Sequence, residues 1–536
     1  MSMDTVGRWM AEYLRARGID TLFTLTGGHI FPLLDGCLDA GVRVVDTRHE
    51  QAAAFAAEGW ALRTGRPGAY LVTAGPGFAN AVAGLAHASV TLAPTLCITG
   101  ANPTKEDDKG APQELEQLRV AEVYTRYAKT VRRTERIPQY VENAFQHMTG
   151  PTPGPAFLEI PQDVFYKPLP EDAPTDFGPR PAPRSAADPA DVERTAALIE
   201  QAERPVLVAG GGAFWSGAEE ALRQLAERTG LPVFTRNAAR GLLPDSHPQC
   251  YGGSPGLGVF KSDLVLVIGS RFNATFYYGE FAPDARVVQV DCNSAALGDN
   301  RGIDVGLCGD AALVLGQLRE ALADYRTPAE WIATLDAAVE KRRTKFAAGF
   351  QSDTRPIHPM RLMQELNEFA DASTTFTVDG GDIGVAAARH LMAEHPGAQL
   401  SNASILGSLG PGLPFALAAK AARPDDTVVS VTGDGAFGFG AMELDTAVRL
   451  DLPFICVIGN DGIWGMIERS QRPMFGEDRA VAATLGDRPY DQMAEALGGY
   501  GERVEDPDQI RPALERARES GLPSCINVIM DPKVTG

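Results

Sequence analysis

The sequence predicts an α/β protein with three doubly wound parallel-sheet domains. Short apolar runs with the composition of strands alternate with helical segments along the whole chain, as in "AYLVTAG", "LVLVIGS", "TVVSVTGDG" and "PFICVIGND". Continuous apolar runs of this kind are typical of parallel strands buried on both faces, with the intervening helices as crossovers. Several runs end in Gly, Asp or Asn, at the carboxyl ends of strands where open α/β sheets bind ligands.

Two shifts in composition divide the chain of 536 residues into three blocks. Residues 166–191 are rich in proline and charge, which is typical of an interdomain linker. Residues 325–360 have the pattern of a charged helix followed by a polar loop, which predicts a second connection. The predicted domains therefore span residues 1–165, 190–325 and 355–536.

The overall composition excludes several classes of partner. A net charge of -20 argues against a nucleic-acid or anionic-membrane surface, although a local pocket can still take a small anionic substrate. No apolar run approaches the roughly 20 residues of a membrane helix, and the first residues lack the apolar core of a signal peptide. The seven cysteines are widely spaced without a CxxC pair, which favours reduced thiols. We therefore expect a soluble, cytoplasmic protein.

Residues 433–465, "GDGAFGFGAMELDTAVRLDLPFICVIGNDGIWG", place an acid after each of two successive predicted strands. Asp434 and Asp461 should lie close together, because successive strands of a strand–helix–strand unit can be neighbours. Hard oxygen ligands at adjacent strand ends suit Mg²⁺, which commonly joins a protein to substrate phosphates. The glycine-rich turn lets backbone N–H groups approach a diphosphate, and the N-terminus of the next helix favours its charge. The stretch predicts a magnesium and diphosphate site.

This stretch resembles the diphosphate-and-magnesium motif of thiamine-diphosphate enzymes in the pyruvate-oxidase and acetolactate-synthase group. That pattern usually ends in Asn-Asn, whereas Asp461 occupies the metal-ligand position here, where a carboxylate still binds Mg²⁺ and adds a charge. By this resemblance the metal ligands are Asp434, Asp461 and the backbone carbonyl of Ile463. The same motif implies that the diphosphate contacts the turn formed by Gly433, Gly435 and Ala436.

The resemblance covers nearly the full length of the chain. Residues 44–61, "VVDTRHEQAAAFAAEGWA", match the segment that carries the family's activating glutamate, here Glu50. A carboxylate on the pyrimidine ring nitrogen drives the shift to the imino form that takes the thiazolium proton. Taken alone, Glu50 equally fits a residue that caps the following helix. In the family this glutamate and the metal site come from neighbouring subunits, which implies self-association, with a dimer as the minimal active unit and a homotetramer as the assembly.

Three further segments resemble cofactor-binding parts of the family. Residues 405–420 match the segment that grips the pyrimidine, in which the Gly407 carbonyl and the Leu409 backbone would bond the ring and the Leu409 side chain would separate the two rings. Residues 378–384 match the segment that completes the diphosphate cradle, and residues 72–82 form a strand, turn and helix facing the cofactor. The predicted contacts in these last two segments are Ile383, Gly384, Thr73, Gly75 and Asn80. The resemblance thus implies pyrimidine-binding, central and diphosphate-binding domains, in that order.

Two residues bear on the choice of substrate. His29, in "LFTLTGGHIFPLLDGC", follows the first predicted strand, where an imidazole can exchange a proton with a substrate hydroxyl near pH 7. Taken alone, a loop histidine is more often solvated or capping. The local sequence resembles benzaldehyde lyase and one branch of 2-hydroxyacyl-coenzyme A lyases, and in benzaldehyde lyase the matching histidine handles the substrate's hydroxyl proton. Gln113, in "APQELEQL", matches that group's active-site glutamine, although acetolactate synthases have a similar Gln-Glu pair and a surface helix amide would look the same.

These features predict a thiamine-diphosphate- and Mg²⁺-dependent lyase or carboligase acting on 2-hydroxy ketones or 2-hydroxyacyl thioesters. One alternative is an acetolactate-synthase-like carboligase or decarboxylase acting on 2-oxo acids, which we would expect to bind flavin in the central domain. Residues 210–222 lack a full dinucleotide fingerprint, so FAD or ADP binding there stays open. A second alternative is an inactive scaffold or regulatory subunit, against which the intact Glu50, Asp434 and Asp461 argue.

The sequence leaves thioester and free hydroxyketone substrates open. A coenzyme A thioester would favour a basic cluster that holds the coenzyme's phosphates. The sequence shows no obvious basic cluster of this kind, because "RPAPR" and "VEKRR" are typical of a linker and of a solvated helix, respectively.

Overall fold

Three parallel sheets flanked by helices form the framework of the protein and confirm the predicted α/β class. The computed structural model describes residues 5–171, 183–401 and 405–535, so part of the predicted linker at 166–191 lies outside the described residues. Each sheet falls within one of the three predicted domains. The boundaries between those domains stay predictions.

The first sheet has six strands in the order β2-β1-β3-β4-β6-β5. Its strands are β1 (Thr21–Leu25), β2 (Arg43–Asp46), β3 (Gly68–Val72), β4 (Thr95–Ala101), β5 (Tyr127–Thr130) and β6 (Ala156–Pro161). Its helices are α1 (Val6–Ala16), α2 (Phe31–Ala40), α3 (Glu50–Thr64), α4 (Pro76–Thr91), α5 (Gln117–Tyr124), α6 (Ile137–Met148) and α7 (Gln162–Phe165). The two central strands β3 and β4 are almost entirely buried, as their continuous apolar runs predict.

The second sheet has five strands in the order β11-β10-β9-β7-β8. Its strands are β7 (Pro205–Ala209), β8 (Val233–Thr235), β9 (Leu264–Ile268), β10 (Arg286–Asp291) and β11 (Val305–Cys308). Its helices are α8 (Pro189–Gln201), α9 (Gly211–Trp215), α10 (Glu219–Thr229), α11 (Gly256–Val259), α12 (Ala311–Ala321) and α13 (Ala329–Phe350). Helix α13 is the charged helix that the sequence predicts for the second connection.

The third sheet has six strands in the order β13-β12-β14-β15-β17-β16, which repeats the strand order of the first sheet. Its strands are β12 (Thr375–Val378), β13 (Gln399–Ser401), β14 (Val428–Gly433), β15 (Ile455–Asn460), β16 (Tyr500–Val504) and β17 (Ser524–Ile529). The helices of this part of the chain are α14 (Pro359–Phe369), α15 (Asp382–His390), α16 (Gly412–Ala422), α17 (Asp434–Phe437), α18 (Glu443–Arg449), α19 (Gly465–Phe475), α20 (Tyr490–Ala496) and α21 (Ile510–Ser520). The repeated order places the switch point between β1 and β3 in one sheet and between β12 and β14 in the other.

Packing divides the described chain into two compact units that cut across the sequence order. The first unit holds the first sheet and takes the described residues of Met1–Ala182, Leu413–Pro424 and Gly440–Leu452. The second unit holds the other two sheets and takes the described residues of Pro183–Gly412, Asp425–Phe439 and Pro453–Gly536. Helix α18 and nearly all of α16 therefore pack with the first sheet, although they connect strands of the third.

The cysteines agree with the expectation of reduced thiols. All seven cysteines are free, and Cys37, Cys97, Cys456 and Cys525 are buried. No helix of the described chain combines the length and the apolar character that crossing a membrane requires.

Candidate active site

Glu50 is the first residue of α3 and directs a buried carboxylate toward α4. His49 precedes it in an extended conformation and caps the helix, because its Nδ1 accepts the N–H of Gln51 at 3.2 Å. Glu50 is only 6% exposed, and Asn80 on α4 donates its Nδ2–H to Glu50 Oε2 at 3.0 Å. Since His49 supplies the cap, the Glu50 carboxylate is not needed for helix capping.

The turn between β3 and α4 depends on a glycine. Gly75 has φ +66° and ψ -110°, a conformation that L side chains rarely adopt. A Cβ at this position would lie 2.5 Å from the carbonyl oxygen of Gln113. Gln117, which is buried, accepts the Gly75 N–H at 3.0 Å and donates to Gly100 O at 3.0 Å and to Glu159 Oε1 at 2.7 Å. Gln117, which the sequence analysis did not single out, therefore fixes this turn.

Gln113 lies on a turn before α5 and not in a helix. Its side chain is exposed, and its φ of +66° is unusual for a residue with a side chain. The turn is stabilised by Glu114, whose carboxylate accepts the N–H groups of Asp108 at 2.7 Å and Ala111 at 3.1 Å. The backbone of Gln113 packs against Gly75, so this predicted site residue borders the turn that the sequence assigned to the cofactor.

His29 follows β1 and is held through both ring nitrogens. Its Nδ1 lies 3.0 Å from Thr73 Oγ1, and its Nε2 lies 2.9 Å from Asn102 Oδ1. Because an amide oxygen only accepts hydrogen bonds, Nε2 carries the proton in this arrangement, and Nδ1 accepts from the Thr73 hydroxyl. Gly100 makes room for the histidine, since a Cβ there would collide with His29 Cβ. The Asn102 Nδ2 group is buried and has no hydrogen-bond partner among the described residues.

The histidine and the glutamate share a neighbour. A Cβ added to Gly77, on the first turn of α4, would lie 2.8 Å from Thr73 Cγ2 and 3.6 Å from Glu50 Oε1. Thr73 thus contacts His29 on one side and borders the Glu50 carboxylate on the other. The first unit brings together four of the predicted site residues, His29, Glu50, Thr73 and Asn80, at the carboxyl end of its sheet. Asn102 was missed, although it follows the strand-like run "TLCITGA", a position that favours ligand contacts.

In the second unit, the two predicted metal-binding aspartates lie at neighbouring strand ends. Strands β14 and β15 pair in parallel, with Gly433 opposite Gly459, as predicted for this strand–helix–strand unit. Asp434 Oδ2 accepts the N–H of Gly462 at 3.1 Å, and Asp461 Oδ1 accepts that of Ile463 at 3.3 Å. Burial raises the pKa of Asp434 to about 6. Burial, and then the charge of Asp434, raises the pKa of Asp461 to about 7.

This donor set fits a hard divalent cation. Burial makes ionisation of both carboxylates costly, and the charge of Asp434 adds to that cost at Asp461, so a bound cation would stabilise the ionised pair. The described residues contain no group of three or more His, Cys, Asp or Glu side chains that could hold a metal by themselves. A cation here would therefore need further oxygen ligands, such as a backbone carbonyl, water or phosphate, which is the coordination habit of Mg²⁺.

Close packing around Asp434 and Asp461 requires several of the neighbouring residues to be glycine. A Cβ on Gly435 would lie 2.5 Å from the Trp464 ring, and one on Gly384 would collide with the Asp379 carbonyl. Ile383 is buried and packs behind Gly433 and Gly459. Gly381, with φ +89°, directly precedes α15, and among the described residues no atom lies within 4 Å of a Cβ added there or at Gly407, with φ +65°. Backbone approach by a ligand is therefore unobstructed at Gly381 and Gly407.

Asp379 is, after Gln117 and Asn102, a third residue of the site region that the sequence did not single out. It directly follows β12 and is buried, and its Oδ1 accepts the N–H of Gly410 at 2.9 Å while Oδ2 accepts that of Gly412 at 3.0 Å. These bonds tie the segment that carries Gly407 and Leu409 to the end of the sheet. The sequence signal was an acid at the end of the run "TTFTVD".

A cavity of about 660 Å³ in the second unit unites the predicted diphosphate and metal residues. Its lining includes Asp434, Asp461 and Ile463, together with the predicted cofactor contacts Ile383, Gly384, Gly407, Leu409, Gly433, Gly435 and Ala436. The volume lies within the usual range for small-molecule and cofactor sites. The second sheet contributes Arg236 and Tyr277 to the same cavity. Its size, its glycine-rich wall and its paired carboxylates fit a diphosphate bound through a divalent cation.

Comparison with known proteins agrees with this geometry. Three family models of thiamine pyrophosphate enzymes match the chain: the N-terminal TPP binding domain at residues 4–120, the central domain at 192–318 and the C-terminal TPP binding domain at 379–528. A probable acetolactate synthase of Mycobacterium bovis is 37% identical, covering 100% of this chain and 98% of the relative. The 2-hydroxyacyl-CoA lyase 2 of Homo sapiens is 31% identical, covering 98% of this chain and 90% of the relative. The 2-hydroxyacyl-CoA lyase of Arabidopsis thaliana is 28% identical, covering 98% of this chain and 95% of the relative.

The matches span the chain from its first sheet to its third, and they include the segments that carry Glu50, Asp434 and Asp461. The chain therefore belongs to the thiamine-diphosphate-dependent enzymes of the pyruvate-oxidase and acetolactate-synthase superfamily.

Proposed function

We propose that the protein is a lyase or carboligase that cleaves or forms the C–C bond of a 2-hydroxy ketone or a 2-hydroxyacyl thioester, with thiamine diphosphate and Mg²⁺. The observation that carries this proposal is the imidazole of His29, which is held between Thr73 and Asn102 and borders Glu50 through Thr73. Such a group suits a substrate whose hydroxyl must lose a proton when the C–C bond breaks. Relatives named 2-hydroxyacyl-CoA lyase support the substrate class.

Residues of neighbouring subunits would hold the cofactor. When bound, thiamine diphosphate supplies carbanion chemistry at a carbonyl carbon. The Glu50 carboxylate would share a proton with the pyrimidine ring nitrogen, while the Asn80 amide keeps that carboxylate oriented. Asp434, Asp461 and the carbonyl of Ile463 would hold Mg²⁺, and the backbone of Gly433, Gly435 and Ala436 would contact the diphosphate.

His29 would accept the substrate's proton through Thr73. A substrate hydroxyl that donates to Thr73 Oγ1 can pass its proton to that oxygen as the Thr73 hydroxyl proton moves to His29 Nδ1. The imidazole then carries a proton on each nitrogen, and its Nε2–H still donates to Asn102 Oδ1. In the direction of bond formation the same two transfers run in reverse, so no proton is lost to solvent.

The first experiment offers purified enzyme, with thiamine diphosphate and Mg²⁺, three substrates separately: benzoin, a 2-hydroxyacyl-coenzyme A and pyruvate. We expect aldehyde release without CO₂ from at least one hydroxy substrate. Glu50→Gln should abolish this activity and leave the fold intact, because the amide cannot take up the ring proton. CO₂ from pyruvate with no cleavage of either hydroxy substrate would contradict the lyase proposal.

The second candidate is an acetolactate-synthase-like carboligase or decarboxylase acting on 2-oxo acids. It is supported by the relatives named acetolactate synthase, at 37% identity for M. bovis and 33% for Methanocaldococcus jannaschii. The pyruvate arm of the same experiment tests it. A scaffold without turnover is the outcome if all three substrates are unchanged while thiamine diphosphate still binds.

We further propose that the enzyme is a cytoplasmic homotetramer in which each active site takes Glu50 from one subunit and Asp434 from its neighbour. Co-expressed Glu50→Gln and Asp434→Asn chains test this arrangement, since each homodimer is inactive. A mixed dimer then contains one intact site and one doubly altered site, so an equal random mixture should recover about a quarter of wild-type activity. No recovery in purified mixed dimers would contradict shared sites.

A further inference from the structure

Arg236 is a buried cation without a carboxylate partner. It follows β8, is only 6% exposed and lines the cavity of the second unit. Its guanidinium donates to the Thr275 carbonyl and to Ser270 Oγ at 3.3 Å, and it stacks 4.5 Å from the centre of the Phe276 ring. Within the described ranges no carboxylate lies at ion-pair distance from it. Burial lowers the pKa of Arg236 to about 10, so the group is still charged at neutral pH.

Two further arginines extend this positive region. Arg389, on α15, lines the same cavity, and Arg342, on α13, is half-buried. Burial and the charge of Arg389 both lower the pKa of Arg342. The same two arginines, after burial, lower the pKa of His390 to about 4, so this histidine is neutral.

We call Arg236, Arg342 and Arg389 the arginine cluster. The sequence interpretation of "VEKRR" as a solvated helix agrees with α13, because four of these five residues are exposed and only Arg342 is half-buried. Arg236 and Arg389, the first and last residues of the cluster, are more than a hundred positions apart in the chain. No local sequence pattern could therefore show that the three belong together.

The arginine cluster differs from other arginines of the same unit. Arg240 is buried but pairs with Asp245, and Arg469 pairs with Asp382. In the described chain no member of the cluster has such an ion pair.

Arg236 is the buried cation of the cluster, whereas Arg389 is exposed and Arg342 is half-buried. Leaving a buried cation unpaired is costly, and the cost falls when an anion binds beside it. In a protein of net charge -20, this cluster makes a local positive field at one cavity.

We propose that the arginine cluster provides an anion subsite, in which Arg236 and Arg389, which line the same cavity, bind a carboxylate or phosphate group of the substrate. Asp434 and Asp461 line the same cavity and suit a cation, so the cavity presents both an acidic and a basic set of groups. The proposal rests on the two candidate functions, the lyase acting on a coenzyme A thioester and the carboligase or decarboxylase acting on a 2-oxo acid, because it assigns the cavity to the substrate as well as to the cofactor. It predicts an oxyanion on the substrate: the carboxylate of a 2-oxo acid or the phosphates of a coenzyme A thioester.

The test uses two pairs of probes that differ in charge. The full-length protein carries Glu50→Gln to prevent turnover and is loaded with thiamine diphosphate and Mg²⁺, whose binding is titrated first. Calorimetry then compares pyruvate with methyl pyruvate, and coenzyme A with pantetheine, which lacks the nucleotide phosphates. We expect the charged member of one pair to bind at least tenfold more tightly than its neutral partner, and this preference to weaken as salt is raised.

Arg236→Met removes the buried charge and keeps a side chain of similar length. We expect it to abolish the preference for the charged probe while the affinity for thiamine diphosphate stays within about twofold. The matched control is Arg223→Met, which removes one charge from an exposed arginine of the same unit that pairs with Glu220 and Glu227. The control should keep the preference.

Each outcome bears on the proposal. A preference in the pyruvate pair identifies a carboxylate as the bound group, and a preference in the coenzyme A pair identifies phosphate. The proposal is overturned if neither pair shows a preference, or if Arg236→Met leaves the preference unchanged. It is also overturned if Arg236→Met mainly weakens thiamine diphosphate, because the cluster would then serve the cofactor. This binding experiment does not measure turnover. A failure of the proposed function alone is therefore detected in the substrate assay and leaves the binding result unchanged.

Discussion

Replacing Asp461 by asparagine should stabilise the cofactor-free protein above neutral pH. The pKa of Asp461 is raised from 3.8 to about 7, first by burial and then by the charge of Asp434. Roughly three pKa units correspond to about 4 kcal/mol, and the partial exposure of the group reduces this to about 2 kcal/mol. Since the folded-state pKa is the higher one, this contribution to stability is complete below pH 3.8 and is lost as pH rises through about 7.

Chemical denaturation in the absence of metal measures the free energy of unfolding of the wild type and of Asp461→Asn from about pH 4 to 8. We expect the free energy of unfolding of the wild type to fall relative to the variant up to about pH 7 and then to run parallel. The opposite-sign control is Asp487→Asn, measured from about pH 6 down to about pH 2. Hydrogen bonding and the charge of Arg503 lower the pKa of Asp487 from 3.8, so its contribution to stability is present above pH 3.8 and is lost as pH falls below it. Parallel curves for wild type and Asp461→Asn over the whole range would refute the reasoning.

Magnesium affinity gives a second readout of the same perturbation. A cation must displace the protons of its carboxylate ligands, so the affinity of the wild type should rise with pH up to about 7. In Asp461→Asn only Asp434, with a pKa of about 6, still titrates, and the rise should end about one pH unit lower. Calorimetric titration of Mg²⁺ in the presence of thiamine diphosphate measures both curves.

Three further predictions concern the first unit. Glu443→Ala removes the carboxylate that accepts the Arg48 N–H at 3.1 Å, and it should speed hydrogen exchange at that amide about tenfold or more, whereas Glu443→Gln should stay near wild type. Thr73→Val should lower kcat for the best hydroxy substrate by about 10²-fold or more, because it removes the hydroxyl bonded to His29, while Thr73→Ser keeps most activity; equal rates for both variants would exclude the relay. Gly75→Ala should destabilise the protein by about 2 kcal/mol or more, because its φ is +66° and the new Cβ meets a carbonyl; an unchanged melting temperature would contradict this.

The sequence alone determined where the buried strands lie and that Asp434 and Asp461 follow adjacent strands. Each buried parallel strand is a continuous apolar run, and the acid or glycine after it marks the strand end, so both signals lie within a few residues of each other. Asp434 and Asp461 could be assigned to adjacent strand ends because one crossover separates them, and the pairing of Gly433 with Gly459 agrees. The crossover between them contains α18, which covers Glu443–Arg449.

The environment of the first-unit residues was decided only by the tertiary structure. His29 could be proposed as a proton acceptor from its loop, but its partners Thr73 and Asn102 follow two other strands. Likewise the sequence offered Gln113, whereas the buried amide that fixes the Gly75 turn is Gln117. These bonds depend on which strand ends meet, and local apolar periodicity does not encode how side chains after different strands face each other.

The electrostatic properties show most clearly which features follow from the sequence alone and which follow from the folded structure. The net charge follows from composition, but the sign of the field at one cavity follows from which charges are left without a partner. Asp461 titrates near neutral pH because it is half-buried beside Asp434, and Arg236 stays unpaired because the fold surrounds it with carbonyl, hydroxyl and aromatic groups. Burial and charge pairing sum over residues that are far apart in the chain, so only the folded structure determined them.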